Sequence, residues 1–339
     1  MQQEFIAKIT EFVATKKKSL IVTHRQPDGD ALGASLAWLA FLRMLGCETE
    51  FLSPTDITRN LDWLPFYSEA ISFEQEKNKA RALKIIEAAE VVYCLDFNSL
   101  SRLEELGEHI ALSSSKKVMI DHHREPENFA DLAFSDIRYA ATSEMIFDTI
   151  SAIGKKNCIT PEIATLLYAG ICTDTGFFQF NNTTPNIFKV ASELVEKGAQ
   201  PDVVSDRVNN IFHERRLNFF GYCLDRKLKL TCGGKVAYMM VSAKEIKRFR
   251  LQNGDSEGLV NYPFKIKGVE MTAYFSEEGD KIKVSLRSRG NWLDMNQFAR
   301  MYFDGGGHFN ASGGKSFHSM EETEAKFLKA VETLFSAKP

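Results

Sequence analysis

The chain has 339 residues, 44% apolar and 26% charged, a balance that suits a globular protein large enough for two sizeable cores. It has no apolar run of about 18 residues and so is not expected to cross a bilayer. A formal charge of −3 and a pI near 6.2 argue against a protein that coats long nucleic acid. The charge is unevenly placed, with 23 basic and 32 acidic residues up to Asp225, then 19 and 13 from Arg226. An acidic part able to hold cations thus precedes a basic part able to hold a polyanion, although such asymmetry between domains is common.

Phe5, Ile9 and Phe12 fall at helical spacing and predict an amphipathic helix near residues 3–15. Leu20–Thr23 is a short apolar run of the kind that forms a buried strand, and from Ala31 apolar residues recur with helical period through Leu45. Between them lie His24, Asp28 and Asp30, with Gly29 and Gly33 permitting a tight turn. An apolar strand that breaks into charged residues just before a helix is where open α/β sheets place their ligands. Asp30 reads equally well as a cap for that helix, so the three residues alone leave capping and metal binding open.

Glu48–Leu52 reads as a strand, followed by a loop around Pro54 and Pro65. Lys79–Ala89 is a predicted helix feeding the apolar run Val91–Leu95, which ends in Asp96. Leu100–Glu108 reads as one short helix leading to the run Val118–Ile120, which ends in Asp121, His122 and His123. Ser143–Ile150 and Pro161–Gly170 continue the helical covering, and the second runs on to Asp174. Thr184 starts another helix with Pro185 at its first position, Pro201 starts a further one, and 191–225 reads as a polar helical connector. Strands alternating with helices predict an α/β domain over 1–190, built on a mostly parallel sheet covered on both faces.

From residue 226 the texture changes. Val236–Val241, Val269–Phe275 and Ile282–Leu286 are β-prone, Glu277–Asp280 reads as a hairpin turn, and Glu321–Phe335 is a closing helix. This is a smaller α+β domain over 226–339. The six cysteines (Cys47, Cys94, Cys158, Cys172, Cys223 and Cys232) show no C-x-x-C spacing and read as reduced core thiols of a cytoplasmic protein.

Four separate segments therefore deliver carboxylate or imidazole groups where an apolar element stops. His24, Asp28, Asp30, Asp96, His122 and Asp174 form a donor set without thiolate, which suits a hard to borderline divalent ion. Manganese is the first choice, with magnesium, iron, cobalt and zinc also compatible. Six ligands exceed what one ion with an open position needs and match two ions sharing a carboxylate, roughly 3.5–4 Å apart in such sites.

In this order HRQPDGDALG, LDFN, DHH and TDTG resemble the four motifs of the DHH phosphoesterases. DGGGHFNASGG at 304–314, preceded by VSLRSRG, resembles the signature of the DHH-associated C-terminal domain. The resemblance spans Thr23 to Gly314 and is closest to the bacterial oligoribonuclease and pAp phosphatase branch. It implies His24, Asp28 and Asp96 on one ion, and Asp30, Asp96, His122 and Asp174 on the other, with Asp96 as the bridge. It implies that His123 contacts the scissile phosphate, which makes His123 and Asp96 the catalytic residues. Asp121 reads equally as the partner that orients a histidine and as a strand-end cap.

In the C-terminal domain the resemblance implies substrate binding by Arg287 and His308. Gly306 and Gly307 would let the backbone approach a phosphate and donate N–H groups to it. Arg289 is a second choice, for which surface solvation is the stronger reading. The chain departs from the family pattern at Asp304, usually glycine, and Ser312, usually alanine. Phe177, Phe178 and Phe180 could stack on a base but are expected in the core.

The implied activity is metal-assisted phosphoester hydrolysis, releasing mononucleotides from very short RNA and removing the 3′-phosphate of 3′-phosphoadenosine 5′-phosphate (pAp). Two other readings remain. One is a phosphodiesterase for linear or cyclic dinucleotides or a pyrophosphatase; the other is a catalytically silent nucleotide-binding module. Short RNA or a small nucleotide is the expected partner, with no long duplex and no membrane, and the family resemblance implies a homodimer.

Overall fold

A computed structural model describes residues 3–15, 17–57, 59–210, 213–252 and 254–336. The chain divides into two compact units, residues 1–211 and 212–339. The boundary falls inside the segment read as a connector, 191–225, of which positions 211 and 212 lie outside the described residues.

In the first unit the elements run α1 (Gln3–Ala14), β1 (Ser19–Thr23), α2 (Gly29–Met44), β2 (Thr49–Ser53), β3 (Ala70–Ser72), α3 (Glu76–Ala88) and β4 (Val91–Leu95). They continue α4 (Glu105–Leu112), β5 (Lys116–Asp121), β6 (Leu132–Ser135), α5 (Thr142–Ala152), α6 (Pro161–Asp174), α7 (Pro185–Glu196) and α8 (Pro201–Ser205). The six strands form one parallel sheet in the order β3-β2-β1-β4-β5-β6. The strand order reverses between β1 and β4, and a doubly wound sheet opens a crevice at the carboxyl ends of the strands where that happens.

Side chains alternate across each strand, and both faces are covered. Ile21, Phe51, Tyr93, Val118 and Ile120 pack with Trp38, Phe41, Ile146 and Leu166 of α2, α5 and α6. On the other face Leu20, Val22, Leu52, Val92, Cys94 and Met119 pack with Ala82 and Ile86 of α3 and with Leu106 and Ile110 of α4. Double coverage explains why these strands read as unbroken apolar runs.

Helix α2 is buried on nearly every side, and its contact with α6 is close enough to exclude a side chain at Gly33. A Cβ there would lie 2.5 Å from the Leu166 carbonyl oxygen. Gly33→Ala is therefore expected to destabilise the first unit by about 1–3 kcal/mol, read as a lower denaturant midpoint, because backbone rather than a flexible side chain must give way.

Two sequence expectations change here. The helix expected over 100–108 is broken into a 3₁₀ turn, Leu100–Leu103, and α4, because Glu104 adopts a left-handed φ of 53° while its carboxylate reaches Arg25 Nη1 at 2.6 Å. The short strands β3 and β6 were not anticipated, being three and four residues long at the two edges of the sheet.

The second unit contains α9 (Glu214–Tyr222), β7 (Lys229–Thr231), β8 (Val236–Val241), α10 (Ala243–Arg248), β9 (Met271–Glu278), β10 (Lys281–Ser288), α11 (Met295–Tyr302), β11 (Gly306–Gly307), β12 (Ala311–Ser316) and α12 (Met320–Ser336). Its sheet runs β11-β12-β10-β9-β8-β7, antiparallel except for the β8/β9 pair. Gly279, at φ 64°, makes the tight β9–β10 turn with Asp280. One face packs Tyr238, Phe275, Val284 and Leu286 against Phe298 and Phe327. The other packs Met239, Val241 and Tyr274 against Phe219 and Phe220.

The stretch 304–314, which was not among the β-prone runs, is largely strand, since glycine's poor strand propensity hides the pairing of β11 with β12. All six cysteines are free thiols, four of them buried. Among the described residues no helix is long and apolar enough to cross a membrane.

Candidate metal centre

The tips of β1, β4 and β5 converge at the crevice where the strand order reverses. Asp28 ends the turn after β1, where it is the N-cap of α2 and accepts the N–H groups of Asp30 and Ala31, each at 3.1 Å. The capping expected of Asp30 thus belongs to Asp28. Asp30, fully buried in the first turn of α2, instead accepts the N–H groups of Thr142 at 2.6 Å and Ser143 at 2.9 Å. Asp30 therefore serves the amino end of α5, whose own preceding residue, Ala141, has no side chain able to cap.

Asp96 follows β4 directly and sits at φ 67°, a left-handed conformation that aspartate tolerates better than most residues. Its two oxygens face opposite ways along the crevice. Oδ2 lies 3.5 Å from His24 Nε2, while Oδ1 lies 3.4 Å from His122 Nε2 and accepts the Thr142 hydroxyl at 2.8 Å. His122 Nε2 is also 3.3 Å from Asp174 Oδ2 and 3.9 Å from Asp30 Oδ2.

The far nitrogens of the rings fix their roles. His24 Nδ1 lies 2.7 Å from the Arg25 carbonyl and His122 Nδ1 lies 3.3 Å from the Tyr139 carbonyl. A carbonyl only accepts, so each Nδ1 carries the hydrogen and each Nε2 is turned to the carboxylates, the arrangement that orients imidazole for a metal. Asp121, fully buried, accepts the His123 backbone N–H at 3.1 Å and the ring Nδ1–H at 2.7 Å. Of the two readings of Asp121, it orients a histidine, and that histidine is His123.

Within the first unit, among the described residues, three groups of donor atoms fall within 4.8 Å of one another: His24, Asp28 and Asp96; Asp30, His122 and Asp174; and Asp96, Asp121 and His123. All six sequence-predicted ligands lie in the first two, with Asp96 between the histidines. The electrostatics match a cation site. Burial, then the Asp96 and Asp174 carboxylates, push Asp30 well above the usual carboxylate range. Burial likewise raises Asp174, to about 6.

Asp96 is held well below the usual range: burial opposes its charge, but hydrogen bonds from His122 and His24 prevail. Burial also opposes charge on His122, yet Asp174 and Asp96 raise it well above an ordinary histidine. Carboxylates crowded out of water hold protons where they could hold divalent cations. The oxygen and imidazole donors fit such ions without thiolate.

Several participants escaped the sequence reading. Thr142, Ser143 and Tyr139 come from the β6–α5 region, and Asn182 Nδ2 donates to both the Ala140 carbonyl at 3.2 Å and the Asp174 carbonyl at 3.1 Å. Phe177 and Phe178 pack against the core as expected, but Phe180 does not, being 46% exposed with its ring over Gly176.

In the second unit Arg287 stands near the end of β10, paired in register with Ala311. His308 follows β11, its N–H donating to the Ala311 carbonyl at 2.8 Å. The Gly307 N–H donates to Asn296 Oδ1 at 3.0 Å, so of the two amides expected to cradle a phosphate that of Gly307 is engaged within the unit. These glycines serve close approach, for a Cβ at Gly307 would lie 2.7 Å from the Ala311 carbonyl oxygen.

Residues 18–171 match the DHH family, N-terminal domain, and residues 233–337 match the DHHA1 domain. The chain is 30% identical over 322 residues to the bifunctional oligoribonuclease and PAP phosphatase NrnA of Bacillus subtilis, covering 93% of this chain and 94% of that one. It is 30% identical to the protein of the same name from Thermus thermophilus, covering 86% and 82% respectively. The crystal structure of an exopolyphosphatase-related protein from Bacteroides fragilis superposes with a TM-score of 0.93 at 36% identity, covering 99% of this chain and 97% of that one.

Proposed function

Because this chain belongs to the DHH family of phosphoesterases, we propose that it hydrolyses short oligoribonucleotides to mononucleotides and removes the 3′-phosphate of pAp. The observation that carries this reading is the placement of Asp96 between His24 and His122, with a carboxylate oxygen facing each ring. In this reading His24, Asp28 and Asp96 hold one ion, and Asp30, Asp96, His122 and Asp174 hold a second. Manganese is the proposed metal. When bound, such a pair neutralises phosphate oxygens and makes a nucleophilic water available near neutral pH.

The chain's own residues do the rest. Asp121 fixes the His123 ring through Nδ1–H, so that Nε2, when it also carries a proton, donates to a phosphate oxygen or gives that proton to the departing one. Asp121→Asn is expected to lower turnover about 10- to 100-fold with metal content unchanged, because the amide can offer its nitrogen to His123 and blur the tautomer. Steady-state rates beside metal analysis check this.

Arg287 and His308 supply recognition of the substrate's terminal phosphate, with Gly306 and Gly307 allowing close approach. His308→Ala is expected to raise KM with two ions still bound; equal metal loss there and in an Asp96 variant would refute that role. The same reading places the protein in the cytoplasm as a homodimer acting on small nucleotides, not on duplexes. The deciding experiment compares hydrolysis of pAp, short RNA, linear dinucleotide and pyrophosphate by manganese-loaded protein. Preference for pyrophosphate, or inertness toward all four, would overturn the proposal.

A further inference from the structure

We propose that Thr142 is a positioning residue for the second ion of the proposed pair, the one assigned to Asp30, Asp96, His122 and Asp174; the inference rests on the phosphoesterase reading and deepens it. Thr142 is fully buried and reaches two carboxylates at once. Its hydroxyl donates to Asp96 Oδ1 at 2.8 Å, and its N–H donates to Asp30 Oδ2 at 2.6 Å. These are the same two oxygens that approach His122 Nε2, at 3.4 Å and 3.9 Å. One residue thus fixes beside the imidazole two oxygens that come from elements far apart in the chain.

The residues around Thr142 are tied to the other members of that ligand set. The Tyr139 carbonyl lies 3.3 Å from His122 Nδ1, and Asn182 Nδ2 joins the Ala140 carbonyl, at 3.2 Å, to the Asp174 carbonyl, at 3.1 Å. The segment is itself held by buried Glu144, whose Oε2 accepts the Ala140 N–H at 3.0 Å while Oε1 accepts Asn186 Nδ2 at 2.8 Å. Segment 139–143 therefore reaches all four residues assigned to the second ion. His24 and Asp28, assigned to the other ion alone, are set from within the β1–α2 turn, by the Arg25 carbonyl and by the Asp30 and Ala31 amides.

Carboxylates brought together out of water repel one another, and without a partner each turns away or takes up a proton. A lysine or arginine at this place would hold them by charge and stand where a cation is needed. A threonine hydroxyl holds its oxygen through a neutral hydrogen bond, so the negative charge and further lone pairs remain for a divalent ion. Branching at Cβ restricts χ1, which keeps the hydroxyl on Asp96. In the sequence Thr142 stands just ahead of the predicted helix Ser143–Ile150, where threonine is an ordinary capping residue. In the structure Ala141 occupies the cap position, and the Thr142 hydroxyl donates to Asp96 instead.

The test is calorimetric titration of metal-stripped, full-length protein with manganese, for wild type, Thr142→Val, Thr142→Ala and Thr142→Ser, beside melting of the metal-free proteins. All three variants keep the backbone N–H that Asp30 accepts, and only serine keeps a hydroxyl; alanine guards against a valine methyl crowding Asp96. Thr142→Val and Thr142→Ala are expected to bind one manganese within about threefold of the wild-type affinity and the other about 10- to 100-fold more weakly. Thr142→Ser should recover most of that loss. Turnover of pAp by the valine and alanine variants should return as manganese is raised, which a misfolded centre would not allow. Two ions held by these variants as tightly as by wild type, equal weakening of both ions, or a serine variant no better than alanine overturns the assignment. A wild type that takes up fewer than two manganese ions overturns the paired-ion reading and this inference with it. A wild type that takes up two and is inert toward every phosphoester sinks the enzymatic reading alone, and the titration still decides the role of Thr142.

Discussion

Asp96→Asn is expected to reduce turnover on every phosphoester to below about one thousandth of the wild-type rate, with fewer than two ions retained per chain. Asparagine is the stringent choice, because it keeps the shape and tolerates the φ of 67°, whereas alanine would add backbone strain to the loss of charge. The amide removes the negative charge that faces both His24 Nε2 and His122 Nε2. It still accepts the Thr142 hydroxyl through its one oxygen, so the fold should survive. Metal analysis beside steady-state kinetics reads the outcome. A variant that keeps two ions and a rate within tenfold of wild type would remove Asp96 from the centre of the site.

Asp30→Ala should damage stability and metal content together. Its carboxylate accepts the first two N–H groups of α5, and without it those donors are buried with no capping side chain of their own. The loss of such a cap is expected to cost about 2 kcal/mol, or roughly 4–8 °C of melting temperature for a unit of this size. The second ligand group, Asp30, His122 and Asp174, also loses a member. Asp30→Asn separates the two effects, since it keeps one acceptor for α5 but no charge for a cation. It should melt closer to wild type while losing metal as fully as the alanine variant. Equal melting temperatures for all three proteins, measured without metal, would refute the capping role.

The parts legible in the sequence were those with a local cause. The tips of β1, β4 and β5 could be located because buried parallel strands are continuous apolar runs that stop abruptly at charged residues, and all six proposed ligands lie at such stops or at the end of α6. What could not be read was set by partners far apart in the chain. Asp30 looked like the cap of its own helix, yet the amides it meets belong to residues 142 and 143. Asn182 carries no pattern, because its significance comes only from which carbonyls surround it. Strands β11 and β12 were hidden for a different reason, since glycine pairs there without the side chains by which strands are recognised.

The close approach of α2 to α6 through Gly33 has a consequence for the order in which the protein becomes competent during synthesis. The loop bearing His24, Asp28 and Asp30 leaves the ribosome long before Asp174, and α6 must seat against α2 before the last carboxylate arrives. A nascent chain therefore carries only fragments of the proposed ion-binding set, and binding of the proposed pair of ions would wait until the whole first unit has emerged and closed.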